Sequence, residues 1–240
     1  TIATGTMHFA QNIFIRVYTN EGIYGVGECS AFPMIVGETQ ATCFEMAKDF
    51  AQLWKNKDPL NIPERMNELH AYTAYNSTAK SAFDMALYDI SAKAAGKPLY
   101  AFLGGERKSM ETDLTIGIDT PEAMAEKAVE FKNKGVRIIK VKLGREPEED
   151  VQRIKQIREA IGDTLQLRID ANQGWTAKQA VYALQTLENA GVKLELVEQP
   201  VKAHDLAGLR YVTERVHTPV MADESVFGPM EVIELIRMRA

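Results

Sequence analysis

Three acidic residues recur at a nearly constant interval in the second half of the sequence. Asp170, Glu198 and Asp223 follow Lys142 at successive intervals of 28, 28 and 25 residues, and each lies near the end of a short apolar run. Such an interval accommodates one strand, one helix and two short loops. If the strands lie side by side, the carboxylates meet at one edge, where their mutual repulsion would require a cation.

The types of these side chains indicate which ion would bind. Three hard oxygen ligands with no Cys or His nearby suit Mg²⁺, which keeps water or substrate oxygens at its remaining positions. The alternative is that each acid caps a loop or a helix N-terminus, as isolated aspartates in such loops commonly do. Because the three acids recur at nearly equal intervals near the ends of successive predicted strands, we expect Asp170, Glu198 and Asp223 to bind one Mg²⁺ ion.

Two lysines precede the acids in an otherwise apolar run, Ile138–Leu143. Lys140 and Lys142 are two residues apart, so a strand directs both side chains to one face, which is the interior in a barrel. A second ammonium group and a divalent cation both disfavour the charged form, so a lysine there could act as a neutral general base. The alternative places the pair outward on an exposed edge strand, where lysine prevents aggregation.

From Thr112 onward, short apolar runs alternate with amphipathic stretches such as Pro121–Lys134 and Glu149–Ile161. This alternation is typical of a (β/α)₈ barrel and of an open doubly wound sheet. Strand-end residues that share one ion favour the barrel, because an open sheet with strands about 5 Å apart would separate the first from the last. The predicted strands are Asp113–Ile118, Ile138–Leu143, Leu165–Ala171, Leu194–Gln199 and Val220–Ser225.

The count of strands is smaller than a closed barrel requires. Five are predicted before Ala240, whereas a closed barrel has eight. Truncation, a longer chain and a second polypeptide that completes the barrel are open explanations. The predicted fold class is therefore α/β, with a partial (β/α)₈-type barrel in residues 112–240.

The first 111 residues show a different pattern. Alternation over Ile13–Tyr18, turn residues at Asn20–Gly22 and a second extended run over Ile23–Cys29 predict a β-hairpin. We expect residues 1–111 to form a small α+β domain, and leave open whether a further strand precedes it. The predicted helices of this domain are Ala41–Trp54, Ile62–Tyr72 and Thr78–Ala95.

Composition excludes several classes of protein. The chain has 240 residues, of which 45% are hydrophobic, but no apolar run reaches the roughly 18 residues that a membrane span needs. The first ten residues lack the layout of a secretory signal, so a cytoplasmic protein without a membrane partner is expected. Its 28 basic residues are outnumbered by 33 acidic ones and form no block, which argues against a nucleic-acid partner. Cys29 and Cys43 are too few for a disulfide scaffold.

Four short motifs resemble those of a known family. Lys140-Val141-Lys142 resembles the KxK motif of the muconate lactonizing enzyme subgroup of the enolase superfamily. Three further segments are similar, in order and spacing, to the metal-ligand strands of that subgroup: Asp170-Ala171-Asn172, Glu198-Gln199-Pro200 and Ala222-Asp223-Glu224-Ser225. Residues 1–111 resemble the capping domain of the family, notably at Gly25–Cys29, Ala82–Ala95 and Leu99–Gly105.

Within the subgroup, the likeness is to dipeptide epimerases of the L-Ala-D/L-Glu type. It rests on Thr112–Ile116, Leu167–Trp175 and the loop Phe32–Thr39. The resemblance implies that Thr115 contacts the substrate, and that the loops Thr4–Gln11 and Phe32–Thr39 select the first residue of the dipeptide. Ordinary surface connections are the alternative for both loops.

The implied reaction is epimerisation by removal of the α-proton next to a carboxylate. Lys142 would remove the proton as one acid/base, while Lys140 supports it and touches the substrate carboxylate. Mg²⁺ held by Asp170, Glu198 and Asp223 would stabilise the enediolate that forms. The substrate is then a small molecule, a dipeptide.

The resemblance also implies groups that this sequence does not contain. The second acid/base is expected at the end of the sixth barrel strand, beyond Ala240, and the acidic groups for the dipeptide ammonium on the eighth. Two alternatives therefore stay open: a sibling reaction such as o-succinylbenzoate synthesis, N-acylamino acid racemisation or cycloisomerisation, or a non-catalytic fragment. A homo-oligomer is expected, although the sequence gives neither its subunit number nor the preferred dipeptide.

The remaining residues with chemical potential are less informative. His8, His70, His204 and His217 are scattered without the spacing of metal ligands, so at least three of them are expected to be structural or surface residues. Trp175 follows the strand of Asp170 and either leans over the barrel mouth or packs on its neighbours.

Overall fold

The computed structural model describes residues 2–3, 5–6 and 8–240. Contacts divide the chain into two compact units, residues 8–110 and residues 111–240, and the described residues before His8 group with the second. The predicted division placed those residues in the first unit. The loop Thr4–Gln11 lies partly outside the described residues, at Thr4 and Met7.

The first unit is an antiparallel hairpin followed by helices. Strand β1 pairs with β2 from Ile13 opposite Cys29 to Tyr18 opposite Tyr24, which confirms the predicted hairpin. The predicted helices are confirmed to within one residue at each end. Short helices within Phe32–Thr39 and after Pro98 were not predicted. The elements are β1 (Ile13–Tyr18), β2 (Tyr24–Cys29), α1 (Pro33–Val36), α2 (Gln40–Trp54), α3 (Ile62–Tyr72), α4 (Ser77–Ala94) and α5 (Leu99–Phe102).

Two glycines of β2 allow this strand to lie directly on the backbone of α4. A Cβ atom added at Gly27 would stand 1.7 Å from the carbonyl oxygen of Ala82, and one at Gly25 would stand 1.9 Å from that of Ala86. Any larger residue would force the strand and the helix apart. Packing thus explains the spacing of glycine in Gly25–Cys29.

The second unit is a parallel sheet with a helix after each strand. Proline at the first turn of α6, α7 and α10 supplies the preset backbone angle that a helix start favours. The elements are β3 (Leu114–Ile116), α6 (Pro121–Asn133), β4 (Ile138–Lys142), α7 (Pro147–Ile161), β5 (Gln166–Asp170), α8 (Ala177–Asn189), β6 (Leu196–Glu198), α9 (Leu206–Thr213), β7 (Val220–Met221) and α10 (Pro229–Met238).

The order of the strands decides between the two architectures that the sequence allowed. The five strands pair in the order β3-β4-β5-β6-β7, so each is hydrogen-bonded to its neighbours in the sequence. A doubly wound sheet reverses direction at a switch point, whereas a barrel proceeds around one circle. The unit is therefore five consecutive β/α repeats of a barrel.

The strands are shorter than predicted, most clearly at the end of the sheet. The prediction of a strand over Val220–Ser225 is wrong beyond Met221, because the next amides do not continue the ladder. The amides of Asp223 and Ser225 instead donate to the side chain of Gln199. None of the helices within the described residues has the length and apolar character to cross a membrane.

Candidate active site

The register of the sheet places most of the candidate residues in one row. Lys142 lies opposite Asp170, Asp170 opposite Glu198, and Glu198 opposite Met221. Residues that face each other in paired strands direct their side chains to the same face. The row lies at the carboxyl end of β4, β5 and β6, where barrels carry their active sites.

The two lysines lie on the face opposite to the core. Ile139 and Val141 are fully buried in the apolar cluster that includes residues of the surrounding helices. Lys140 and Lys142 alternate with them, and their side chains are 18% and 16% exposed. Strand β4 pairs with β3 on one side and β5 on the other, so the alternative of an exposed edge strand is wrong.

Both lysines form ion pairs with the acids of the row. The ammonium group of Lys140 donates to the Oε1 and Oε2 atoms of Glu198 at 2.7 and 2.6 Å, and lies 2.9 Å from Oδ2 of Asp170. Lys142 donates to Oδ2 of Asp170 at 2.6 Å. Oδ1 of Asp170 accepts the amide proton of Asn172 at 2.8 Å. Four charged side chains therefore form one network, with Asp170 at its centre.

Burial and these ion pairs shift the pKa values in the network. Burial lowers the pKa of Lys140, but its bonds to Glu198 and Asp170 outweigh this effect and raise it above the ordinary value. The direction is opposite to the one expected from a neighbouring ammonium group. Burial raises the pKa of Asp170, yet Lys142 and Lys140 hold it below its usual range. For Glu198, burial and the charge of Asp170 prevail over Lys140 and raise the pKa to about 7.

Asp223 is not joined to this network. Its side chain is exposed beyond the end of β7 and forms none of the ion pairs found among the described residues. Among all the residues that the structure describes, no three Asp, Glu, His or Cys side chains lie close enough together to hold a metal ion. The structure thus brings Asp170 and Glu198 together and does not gather all three expected ligands.

The donor atoms at this edge nevertheless fit a hard cation. Oδ1 of Asn172 and Oε2 of Glu224 are buried and have no hydrogen-bond partner among the described residues. The two side chains touch through a bond from Nδ2 of Asn172 to Oε1 of Glu224 at 3.2 Å. A buried oxygen atom that accepts no hydrogen bond lowers the stability of the folded state, and a bound cation would satisfy it. A hydrated Mg²⁺ ion is bound through carboxylate, amide and water oxygens, so this donor set suits it.

Thr115 lies level with Lys140 and Arg168, two residues before the level of Lys142 and Asp170 along the strands. It faces Lys140 across the β3–β4 pairing, and Lys140 faces Arg168 across the next. Its side chain is exposed on the face that carries both lysines. The position of Thr115 is therefore close to Lys140, while its expected contact with substrate stays a prediction.

Family models match almost the whole chain. The model described as mandelate racemase / muconate lactonizing enzyme, N-terminal domain, matches residues 1–104. The model described as enolase C-terminal domain-like matches residues 123–240. From His8 onward, the first match lies in the first unit of the fold and the second match lies in the second unit.

Relatives with names and solved structures agree with these matches. The hydrophobic dipeptide epimerase of Enterococcus faecalis is 44% identical over 237 residues, which are 99% of this chain and 66% of the relative. The L-Ala-D/L-Glu epimerase of Clostridium acetobutylicum is 38% identical, over 99% of this chain and 67% of its own. The chain belongs to the mandelate racemase / muconate lactonizing enzyme family of the enolase superfamily.

Solved members of the enolase superfamily share the fold closely. The dipeptide epimerase of Cytophaga hutchinsonii, complexed with Mg and D-Ala-L-Val, superposes with a TM-score of 0.95 at 41% identity, covering 100% of this chain and 65% of that one. The chain therefore spans about two thirds of the length of the relatives it matches. The predicted fold class, a capping domain followed by five strands of a barrel, is confirmed.

One acid that was not among the predicted site residues supports the mouth of this enolase-superfamily barrel. Oδ2 of the buried Asp150, at the start of α7, accepts the amide protons of Gly144 and Arg145 and the indole proton of Trp175, at 2.9, 3.1 and 3.0 Å. Trp175 is 2% exposed, so of its two expected positions the packed one is correct. Asp150 thereby joins the loops that follow Lys142 and Asp170. An acid in the first turn of a helix is too common to have revealed this role.

A second missed residue lies beneath the row. Arg168 donates from Nε and Nη2 to the carboxylate of Glu195 at 2.7 and 3.0 Å, and from Nη1 to Asp113 at 3.1 Å. It faces Lys140 in the register. Its two acidic partners neutralise a cation that stands on the same strand as Asp170. The alternation of Arg168 and Asp170 in β5 was the available signal.

Proposed function

We propose that the protein containing this chain is a Mg²⁺-dependent dipeptide epimerase of the L-Ala-D/L-Glu type. The observation that carries the proposal is the row formed by Lys142, Asp170 and Glu198, in which an amine and two carboxylates meet at the carboxyl edge of the sheet. The named relatives support it, because several are dipeptide epimerases. The enzyme class would accordingly be isomerase.

The two lysines differ in a way that suits different roles. Lys142 touches one carboxylate, whereas Lys140 touches two and has a raised pKa. A group that stays charged is suited to bind the substrate carboxylate, and the less restrained amine is suited to exchange a proton at the α-carbon. We therefore assign the acid/base role to Lys142 and the supporting role to Lys140, with Thr115 beside it as a substrate contact.

The acids are assigned to the metal. Asp170, Glu198 and Asp223 would hold Mg²⁺, and the ion would supply positive charge that stabilises the enediolate form of the substrate. Asp170 also pairs with both lysines and so keeps their amines near the place proposed for the substrate carboxylate. Burial excludes water from Asp170, which strengthens its electrostatic effect on them.

The test is hydrogen exchange at the α-carbon in the full-length protein. L-Ala-L-Glu and related dipeptides with an acidic second residue should gain deuterium from heavy water only when Mg²⁺ is present. A panel of apolar dipeptides, including L-Leu-L-Tyr, tests the preference named for the Enterococcus faecalis relative. Exchange confined to N-acylamino acids or to succinylbenzoate precursors would indicate a sibling reaction, and exchange with no dipeptide would reject the proposal.

The expectations about location and assembly remain part of the proposal. The proposed location is the cytoplasm, for which the composition is the support, and the proposed assembly is a homo-oligomer. Cell fractionation and the sedimentation mass of the full-length protein test them, and a monomeric mass would reject the second.

A further inference from the structure

The side chain of Gln199 is a buried amide, and three of its four hydrogen bonds lead to the loop after β7. Its Oε1 accepts the amide protons of Asp223 and Ser225 at 2.8 and 3.1 Å. Its Nε2 donates to the hydroxyl of Ser225 at 2.8 Å and to the carbonyl of Val201 at 3.0 Å. Gln199 is 0% exposed, and its amide makes four bonds, the number that such a group can make.

The backbone of the same residue joins the neighbouring strands. The backbone N–H of Gln199 donates to the carbonyl of Met221 in β7 at 2.8 Å. Its backbone carbonyl accepts the backbone N–H of Gln173, three residues after Asp170, also at 2.8 Å. The residue adopts a positive φ of 37°, an unusual conformation for glutamine. Gln199 directly follows Glu198, so this single residue touches the carboxyl ends of β5, β6 and β7, at or after which the proposed ligands lie.

These bonds replace strand pairing at the point where Asp223 lies. Strand β7 stops at Met221, so the sheet does not fix the position of Asp223. The bond from its amide to Gln199 does so instead. If the side chain of Gln199 were removed, two buried or half-buried amides would lose their acceptor, and the loop would have to move to find another.

We infer that Gln199 is a positioning residue that sets where Asp223 stands relative to Asp170 and Glu198, and thereby sets the affinity for Mg²⁺. The inference rests on the proposed function, because it takes these three acids as the ligands. Gln199 itself is not assigned to the metal or to the substrate. Residues that orient a ligand from behind commonly change metal affinity by about 10–100-fold when replaced.

Calorimetry of Mg²⁺ binding to the full-length protein tests the inference. Gln199→Met keeps the volume of the side chain and removes its four bonds, so it should weaken Mg²⁺ binding by about 10-fold or more. Gln173→Ala is the matched control, because Gln173 accepts a single bond from the amide of Ala203 and touches neither Asp223 nor Ser225. The control should bind Mg²⁺ as the unaltered protein does.

A second measurement does not depend on the metal. Amide hydrogen exchange of Asp223 and Ser225 should accelerate in Gln199→Met and stay unchanged in Gln173→Ala. If Gln199→Met does not fold, Ser225→Ala replaces it, since this change removes one of the four bonds and should give a smaller loss of affinity in the same direction.

The outcomes separate this inference from the proposed function. A folded Gln199→Met protein with unaltered affinity, or an equal loss in Gln173→Ala, overturns the inference alone. If the unaltered protein does not bind Mg²⁺, the metal assignment in the proposed function is rejected. The same holds if the Asp170→Asn variant binds Mg²⁺ as tightly as the unaltered protein. Weakened binding in Gln199→Met only, with faster exchange at Asp223 and Ser225, supports the inference.

Discussion

The packing of β2 on α4 and the row of charged side chains on β4, β5 and β6 are held together in different ways. In residues 8–110, β2 meets α4 through backbone atoms, since Gly25 and Gly27 leave no room for a side chain. In residues 111–240, the side chains of the row are held by ion pairs, such as the one of 2.6 Å between Lys142 and Asp170. The first arrangement is what stable packing requires. The second is costly to bury and is weak evidence for stability.

This difference leads to an expectation about substitutions. Changes at the glycines should act on the free energy of unfolding, whereas changes in the ion-pair network should act mainly on chemistry and have a smaller effect on unfolding.

The largest effect is expected from Lys142→Ala in the full-length protein. Without the amine that is assigned to the α-proton, deuterium exchange into the substrate should fall by about 10²–10⁴-fold. The unfolding temperature should change little, because Asp170 keeps Lys140 at 2.9 Å and the amide of Asn172 at 2.8 Å. The measurements are exchange by NMR and thermal unfolding by circular dichroism.

Lys178→Ala is the control for this change, since Lys178 is an exposed lysine of α8 outside the row. It should retain full exchange. A Lys142→Ala protein that exchanges normally would remove the acid/base assignment, and one that is strongly destabilised would contradict the division between packing and chemistry.

A moderate effect on stability is expected from Gly27→Ala. The added Cβ would stand 1.7 Å from the carbonyl oxygen of Ala82, so β2 and α4 must separate. Overpacking of this kind costs about 1–3 kcal/mol, occasionally more. Chemical denaturation should show the loss as a lower free energy of unfolding.

Gly228→Ala provides the comparison in the other unit. A Cβ there would lie 3.1 Å from Oε2 of Glu231, the movable end of a flexible side chain, so the cost should come from the loss of glycine at the N-cap of α10 and stay below about 1 kcal/mol. Equal losses at the two glycines would show that the cost at Gly27 does not come from the close approach of β2 to α4.

The smallest effect is a pH dependence carried by Glu198. Its pKa is raised to about 7, so the folded state binds this proton more tightly than the unfolded state does. The resulting stabilisation is fully present below the ordinary pKa of glutamate and is lost as the pH rises through about 7. In the same range Asp170, with a lowered pKa, stays ionised, and Lys140, with a raised pKa, stays charged.

The measurement compares the unaltered protein with Glu198→Gln between pH 5 and pH 8, in a buffer containing EDTA. The unfolding temperature of the unaltered protein should fall with rising pH relative to that of the variant. Parallel curves would contradict the raised pKa of Glu198.

Regular periodicity made much of the fold predictable. Helix α3 begins and ends at the predicted residues Ile62 and Tyr72, because a proline marks its start and its apolar positions recur with helical spacing. The interval between Lys142 and Asp170 likewise predicted that they would stand on neighbouring strands, and the register confirms this. Local sequence determines both features.

Features that depend on contacts between distant residues were not predictable in this way. The end of β7 depends on the side chain of Gln199, which is more than twenty residues away from Asp223. The raised pKa of Lys140 depends on how two carboxylates close around it, which spacing alone does not reveal. The position of Trp175 depends on Asp150 in the preceding helix.

The distribution of the two tryptophans gives each unit its own optical probe. Trp54 is buried in the first unit, with its indole proton donated to the carbonyl of Arg65, and Trp175 is buried in the second. A variant that retains only one indole would report, by fluorescence, on the melting of one unit at a time. Loss of the contact between Trp175 and Asp150 should shift the fluorescence emission of Trp175. Fluorescence can therefore follow loosening of the loops beside Lys142.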